Sequence, residues 1–307
     1  MSVNTSGKFQ PAPARAGLAL ADCDFYHTVD IPDHGVVQGQ WDLRGREADY
    51  LGHAPLAGRS VLEIGPASGH LSFWMEAQGA KVTAFDLSED GAWDFVPFHG
   101  LDLQAANAAR SQHLRRLQNS WWFLRQARGA KAEAVYGTVY DIDPSLGAFD
   151  VVTLNSVLLH LRDPMGAMIK AASVCGRTLV ITEVAEEHYH RRTPWKRDPK
   201  ALSFLPKADR PESYDAWFVL PSGVTVEMMK ILGFRPTLTR HKQSFHPRTN
   251  PAKPGCLSQR DRTPDAGGKW NRQSIEPGRR REPGALRVRE WRAIDASREA
   301  ERGFDRF

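Results

Sequence analysis

A chain of 307 residues, 41% of them hydrophobic, can bury a full core, so disorder throughout is excluded. It has no run near the ~18 apolar residues of a membrane span, its start lacks the apolar stretch of a secretory signal, and Cys23, Cys175 and Cys256 are too few and too scattered for a disulfide framework or a zinc pair; the expectation is a cytoplasmic protein. The net charge of +5 is unevenly placed: from Arg240 onward there are 17 Lys and Arg against 9 Asp and Glu, while the remainder holds 24 against 27, so the folded part lacks the basic surface that gripping nucleic acid requires.

Residues 1–24, rich in Ala, Pro, Gly and Ser, carry no periodic pattern and are predicted to be flexible, with a folded domain over 25–246. The segment Phe25 to Arg44, FYHTVDIPDHGVVQGQWDLR, mixes aromatics, histidines and acids ahead of the first strand, and either covers a pocket or pads the sheet. At Ser60 the pattern sharpens into SVLEIG, a β-branched apolar run closed by Gly-Pro, followed by helical spacing of Leu71, Trp74 and Met75 and then by a second strand, KVTAFDL. This is a β-α-β unit with two parallel strands. The stretch 101–131 has few breakers and is predicted to form one or two inserted helices, followed by strands in AEAVYGTVYDI and FDVVTLNSV. The helix MGAMIKAASVCG leads to a fifth strand, RTLVITEV; a Pro- and charge-rich excursion over 185–220 and a helix over Val224 to Gly233 complete the pattern. Five strands alternating with helices predict an α/β fold, a doubly wound, mostly parallel sheet whose core spans 58–185. From Pro247 onward, six prolines, six glycines and many arginines interrupt any periodicity; a basic, disordered tail is expected over 247–307, with only ALRVREWRAI resembling an element.

Parallel sheets of this kind bind ligands at the carboxyl ends of their strands, so the residues that follow each strand carry the chemistry. After the first strand comes Glu63-Ile64-Gly65-Pro66-Ala67-Ser68-Gly69. Gly65 permits the sharp turn, and Gly69 removes a side chain where helix and strand crowd. A dinucleotide site wants a middle glycine to admit a pyrophosphate; Ala67 after rigid Pro66 stands there instead, which favours a nucleoside without phosphates. Asp86 ends the second strand, where an acid can accept from both ribose hydroxyls. Asp141 at the end of the third strand is placed for an adenine amine, and Asn155 at the end of the fourth for a small polar moiety.

VLEIGPASGHLSFWMEAQGAKVTAFDLS, YDID and FDVVTLNSVLLHLRDP resemble the successive motifs of class I S-adenosylmethionine methyltransferases, over about residues 60–185. The resemblance implies a Rossmann-like methyltransferase fold with S-adenosylmethionine as cofactor. Glu63, Gly65 and Gly69 match the glycine motif, with Pro66, Ala67 and Ser68 inside it; Asp86 with Leu87 matches the ribose acid, Asp141 with Ile142 the adenine side, and Asn155 the methionine side. Within that superfamily, WDLR, LLHLRDP and WFVLPSGVTVEMMKILGF are similar to the branch of tRNA wobble-uridine carboxymethyltransferases and their small-molecule relatives, which admits a carboxylated cofactor analogue and a tRNA partner as alternatives to a small-molecule acceptor. His160 is a candidate base, a pocket-lining residue being the alternative. Tyr26, Trp41 and Arg44 either close over the methionine carboxylate or acceptor, or cover the sheet edge. Trp121, Trp122 and Phe123 read as core packing, and His188, Tyr189 and His190 as a loop, since no acid or cysteine stands at metal-ligand spacing. The segments 101–131 and 185–220 are expected to form an acceptor lid. A non-catalytic cofactor-binding scaffold is the reading from another class.

Overall fold

The structure, a computed structural model, describes residues 9–184, 201–210, 214–246 and 284–288. In chain order its elements are β1 (Phe9–Pro11), the hairpin β2 (Val29–Ile31) and β3 (Gly35–Val37), β4 (Trp41–Asp42), α1 (Glu47–Tyr50), β5 (Ser60–Ile64), α2 (His70–Ala77), β6 (Lys81–Asp86), α3 (Leu103–Ala127) and β7 (Glu133–Gly137). Then follow β8 (Phe149–Asn155), α4 (Pro164–Ser173), β9 (Cys175–Val184), β10 (Ser203–Phe204), β11 (Phe218–Val219), α5 (Ser222–Ile231), β12 (Leu238–Lys242), β13 (Ser244–Phe245) and β14 (Gly284–Val288).

Eight strands form the central sheet in the order β1-β7-β6-β5-β8-β9-β14-β12. The middle five, β7-β6-β5-β8-β9, are mutually parallel, as the alternating pattern predicts. The order reverses at β5: the chain proceeds outward through β6 and β7, then returns to add β8 on the other side. A crevice opens at the carboxyl ends beside such a switch. Both faces of β5 and β8 are covered, so these strands read as continuous apolar runs rather than alternating ones. One core layer joins α2, the end of α3 and the segment Cys23 to Leu56; the other joins α4, α5 and the opposite face. Local chemistry starts the helices: Asp102 accepts from the Ala105 N–H at 2.9 Å to cap α3, and Asp163 accepts from the Gly166 N–H at 2.8 Å to cap α4, whose first residue is Pro164.

The structure corrects four expectations. Residues 9–24 are tied down rather than flexible: β1 pairs antiparallel with β7, and Arg15 donates to Gln118 at 2.6 Å and Asn119 at 2.7 Å. Composition masks this, because a three-residue edge strand that ends in proline needs no apolar alternation. The 101–131 region is one 25-residue helix whose second half is the crossover between β6 and β7, with Trp121, Trp122 and Leu124 buried in the core; only its first half remains for a lid. The third strand ends at Gly137, and Asp141 lies on a 3-10 turn, Val139–Asp141, beyond it. Within the expected disordered tail, Gly284–Val288 forms β14, inserted antiparallel between β9 and β12. It thereby supplies the closing strand within ALRVREWRAI. The remainder of 247–307, and His188, Tyr189 and His190, lie outside the described residues.

Candidate functional site

The turn after β5 is built on backbone that most residues avoid. Gly65 (φ 75), Ala67 (φ 49) and Gly69 (φ 87) are all left-handed. The Gly65 N–H donates to the Phe85 carbonyl at 2.9 Å and the Gly69 N–H to the Pro66 carbonyl at 2.9 Å, which folds the turn over the end of β6. A Cβ on Gly69 would stand 2.7 Å from both the Phe73 and Trp121 rings, and one on Gly65 2.6 Å from Val157. Ala67 holds its left-handed shape without glycine's freedom, at a cost of about 1 kcal/mol. Strain of this order persists only where the surroundings enforce it.

Glu63 lies beneath the turn rather than in it. Its carboxyl is buried and accepts from the Ser72 hydroxyl, which in turn accepts from Trp121 Nε1 at 3.0 Å. Burial, with the neighbouring Asp86 charge, pushes it up to about 7. Glu63 is thus a strut that joins β5, α2 and α3. Ser68 is another: its hydroxyl accepts from the backbone N–H groups of Tyr26 at 3.1 Å and His27 at 3.4 Å, docking the N-terminal segment on the turn. Asp86 ends β6 and lines a narrow cleft with Pro66, Ala67, Gln118, Trp121 and Tyr136. One carboxylate oxygen accepts from the Leu87 N–H at 2.8 Å, and desolvation pushes the group up to about 7. Leu87 turns its carbonyl to Gln118 Nε2 at 2.9 Å.

Asp141 accepts from the Thr138 hydroxyl at 2.9 Å. Ile142, beside it, is fully buried in the second core layer, so its side chain is no ligand. Asn155 Nδ2 donates to Thr153 Oγ1 at 3.3 Å, whereas its Oδ1 is buried with no partner among the described residues. Such an orphaned acceptor asks for a donor. At the end of β9, Glu183 is a further buried carboxyl, pushed up to about 8 by burial. Glu63, Asp86 and Glu183, all on the central strands and all short of counter-charge, give the sheet's interior an appetite for a cation. A nucleoside that carries positive charge on sulfur and on an amine fits this donor set, with Asp86 for the sugar hydroxyls and Asn155 Oδ1 for the ammonium.

A second cluster surrounds His160. Its Nδ1 meets the Asp215 carbonyl at 2.5 Å; a carbonyl only accepts, so Nδ1 carries the proton and Nε2 keeps the lone pair. Burial lowers its pKa from the ordinary histidine value, which keeps the ring neutral near pH 7. Trp93 stands edge-on to it at 5.8 Å, and the Arg110 guanidinium lies 4.4 Å over the Trp93 ring while pairing with Asp215 at 3.2 Å. The first half of α3 and the stretch 214–217 of the excursion therefore meet beside His160. Asp94 fastens the neighbouring loops, accepting from the Tyr140 hydroxyl and the Arg162 N–H at 2.7 Å each.

Trp41 and Arg44 are committed elsewhere. The Trp41 ring packs on Phe245 at 4.6 Å as β4 pairs with β13, and the exposed Arg44 guanidinium closes on Asp42 at 2.9 Å. They cover the edge, while Tyr26 is the member of that trio joined to the glycine turn. Among the described residues no three His, Cys, Asp or Glu side chains form a metal-ligating group, and no helix is long and apolar enough to cross a membrane. Gln118, Tyr136 and Trp93 were not singled out as site residues from sequence: Gln118 and Tyr136 sit within a helix and a strand, and Trp93 stands in a stretch with no periodic pattern. The acid Glu183 in the apolar strand TLVITEV was the one available signal for that position.

A family model described as a methyltransferase domain matches residues 42–218, more than half of the chain. The chain belongs to the methyltransferase domain family. Its glycine turn, Asp86, Asn155 and the His160 cluster with Trp93, Arg110 and Asp215 all fall inside the matched span. A curated relative, the ubiquinone biosynthesis O-methyltransferase of Albidiferax ferrireducens, is 27% identical over 145 residues, covering 44% of this chain and 48% of the relative. The match thus spans about half the length of that relative. Among solved structures, a methyltransferase of Bacillus halodurans overlaps 80% of this chain and 97% of its own at 14% identity and a TM-score of 0.48. Magnesium protoporphyrin IX methyltransferase of Synechocystis overlaps 79% of each chain at 14% identity and a TM-score of 0.44.

Proposed function

We propose that this member of the methyltransferase domain family is an S-adenosylmethionine-dependent enzyme that methylates a small-molecule acceptor in the cytoplasm. When bound, the cofactor supplies an electrophilic methyl group on a sulfonium. The observation that carries the reading is the cleft where Asp86 meets the left-handed turn Gly65 to Gly69, a pocket too bare of cations for phosphates and lined by buried acid. Asp86 accepts from the ribose hydroxyls, Asp141 from the adenine amine, and Asn155 from the ammonium. The backbone of the turn lies against the nucleoside because its glycines carry no side chain. Aligning acceptor and methyl contributes up to ~7–11 kcal/mol of the barrier reduction, so the protein's main task is orientation.

With cofactor and a hydroxyl acceptor bound, His160 Nε2 would take the acceptor proton that methyl transfer to its oxygen displaces. A base of this kind contributes a factor of ~10²–10⁴ for a hydroxyl acceptor, and little for an amine already deprotonated. The ubiquinone biosynthesis relative, by its name an O-methyltransferase, supports a hydroxyl. A second reading, a tRNA wobble-uridine enzyme that uses the carboxylated cofactor analogue, draws on the branch likeness and on the surplus of 8 positive charges after residue 239. The test is release of S-adenosylhomocysteine from the purified chain given a panel of phenols, aliphatic amines and bulk tRNA. Turnover with phenols that collapses in His160→Asn supports the first reading; turnover with tRNA alone, falling steeply with salt, overturns it.

A further inference from the structure

The strand β8 ends in an unusual piece of backbone. Ser156 is left-handed (φ 55) and Val157 right-handed (φ −103, ψ −41), a pairing that swings successive N–H groups toward one point. The Leu158 N–H donates to Glu183 Oε1 at 2.8 Å. Glu183 is only 3% exposed, so its carboxyl has no water to bond to; the strand end stands in water's place. Leu158 opens the 3-10 turn Leu158–His160, in which the His160 N–H returns to the Val157 carbonyl at 3.0 Å. Neighbouring contacts hold the strand end: the Ser156 N–H donates to the Thr182 carbonyl at 2.6 Å, and the Thr182 hydroxyl to the Tyr50 carbonyl at 3.0 Å.

We infer that Glu183 is a positioning residue: its carboxyl oxygen, bonded to the Leu158 N–H at the end of β8, fixes the turn that carries His160, while the Asp215 carbonyl fixes the ring from the far side. The role rests on His160 acting as base, as proposed above. The geometry makes the base rigid in both rotation and tautomer, because the backbone turn sets where the ring stands and Asp215 sets which nitrogen keeps its lone pair. Without an oxygen at 183 the buried Leu158 N–H loses its acceptor, and the turn relaxes.

The experiment is nitrogen-15 NMR of the imidazole of His160 in the full chain, which reads tautomer and pKa without needing an acceptor. Wild type should show one tautomer, protonated on Nδ1, with a lowered pKa. Glu183→Ala should draw the two ring-nitrogen shifts toward each other as tautomers mix, and Glu183→Gln, which keeps an oxygen for the Leu158 N–H, should restore the wild-type pattern in part. Unchanged His160 shifts and pKa in a folded Glu183→Ala protein would overturn the inference. Should that variant fail to fold, Glu183→Gln decides: displaced shifts support the role and identical ones reject it. If His160→Asn retains methyl transfer while the NMR effect stands, the base assignment fails and the positioning of the turn survives.

Discussion

Asp86 sits at about 7 because burial penalises its charged form while only the Leu87 N–H supports it. Ribose hydroxyls donating to that carboxylate would favour the charged form, so cofactor binding near neutral pH should release a proton. Calorimetry at pH 7 in buffers of different ionisation enthalpy should report roughly half a proton released in wild type and none in Asp86→Asn. Equal proton release by both proteins would contradict this. At Gly69, Ala introduces a methyl group at 2.7 Å from two aromatic rings on backbone at φ +87, and should lower unfolding free energy by about 2 kcal/mol or more in denaturant titration. These residues were legible in the sequence because each follows a strand and each belongs to a residue type with few other uses there. Glu63 and Ser68 were legible as motif members but not as struts, since which way a side chain turns depends on Ser72, Trp121 and Tyr26, brought in from elsewhere.

At the scale of elements, the β5-α2-β6 unit could be read directly, because apolar runs of four to six residues separated by a glycine turn and a helical stripe have one economical arrangement. The edges could not. β1 is three residues long and β14 stands amid Pro- and Arg-rich sequence; both owe their structure to a neighbour's unpaired ladder, β7 for one and the gap between β9 and β12 for the other. That dependence gives a prediction. A chain ending at residue 246 lacks β14, which pairs with five residues of β12 and four of β9, and should melt ~5 °C or more below the full chain and aggregate on heating. Equal melting temperatures would show that β14 adds nothing to the sheet. In α3 the reading of Trp121 and Trp122 as core packing holds, since both are buried; how much of the helix is left over for a lid depends on the sheet beneath it.

For the whole molecule, the buried carboxyls of Glu63 and Glu183 and the half-buried one of Asp86 shape the response to pH. Glu63 and Asp86 sit near 7 and Glu183 near 8, well above the ~4 of an unfolded chain, so protonation favours the folded state. Their contribution is full below the unfolded values and is lost as pH rises through 7 to 8. His27, lowered to about 3, and His160 act oppositely but only below the ordinary histidine value near 6.5. Between pH 6.5 and 8.5 the carboxyls therefore govern, and the melting temperature of the cofactor-free protein should fall by ~4 °C or more, a loss that bound cofactor reduces. A flat profile would mean these groups are ionised and solvated. The charge asymmetry between the acidic domain and the basic end was visible at once; the inward-facing acids were not, because counting charges does not say which ones the sheet encloses.

The most direct measurement is calorimetric titration of the wild-type chain and of Asp86→Ala with S-adenosylhomocysteine, the methyl-free product that needs no acceptor. Binding to wild type that weakens ~100-fold or more in Asp86→Ala, with the variant still folded by circular dichroism, is the result expected if the cleft beside the glycine turn holds the nucleoside through that carboxylate. Equal affinity in the two proteins would contradict it.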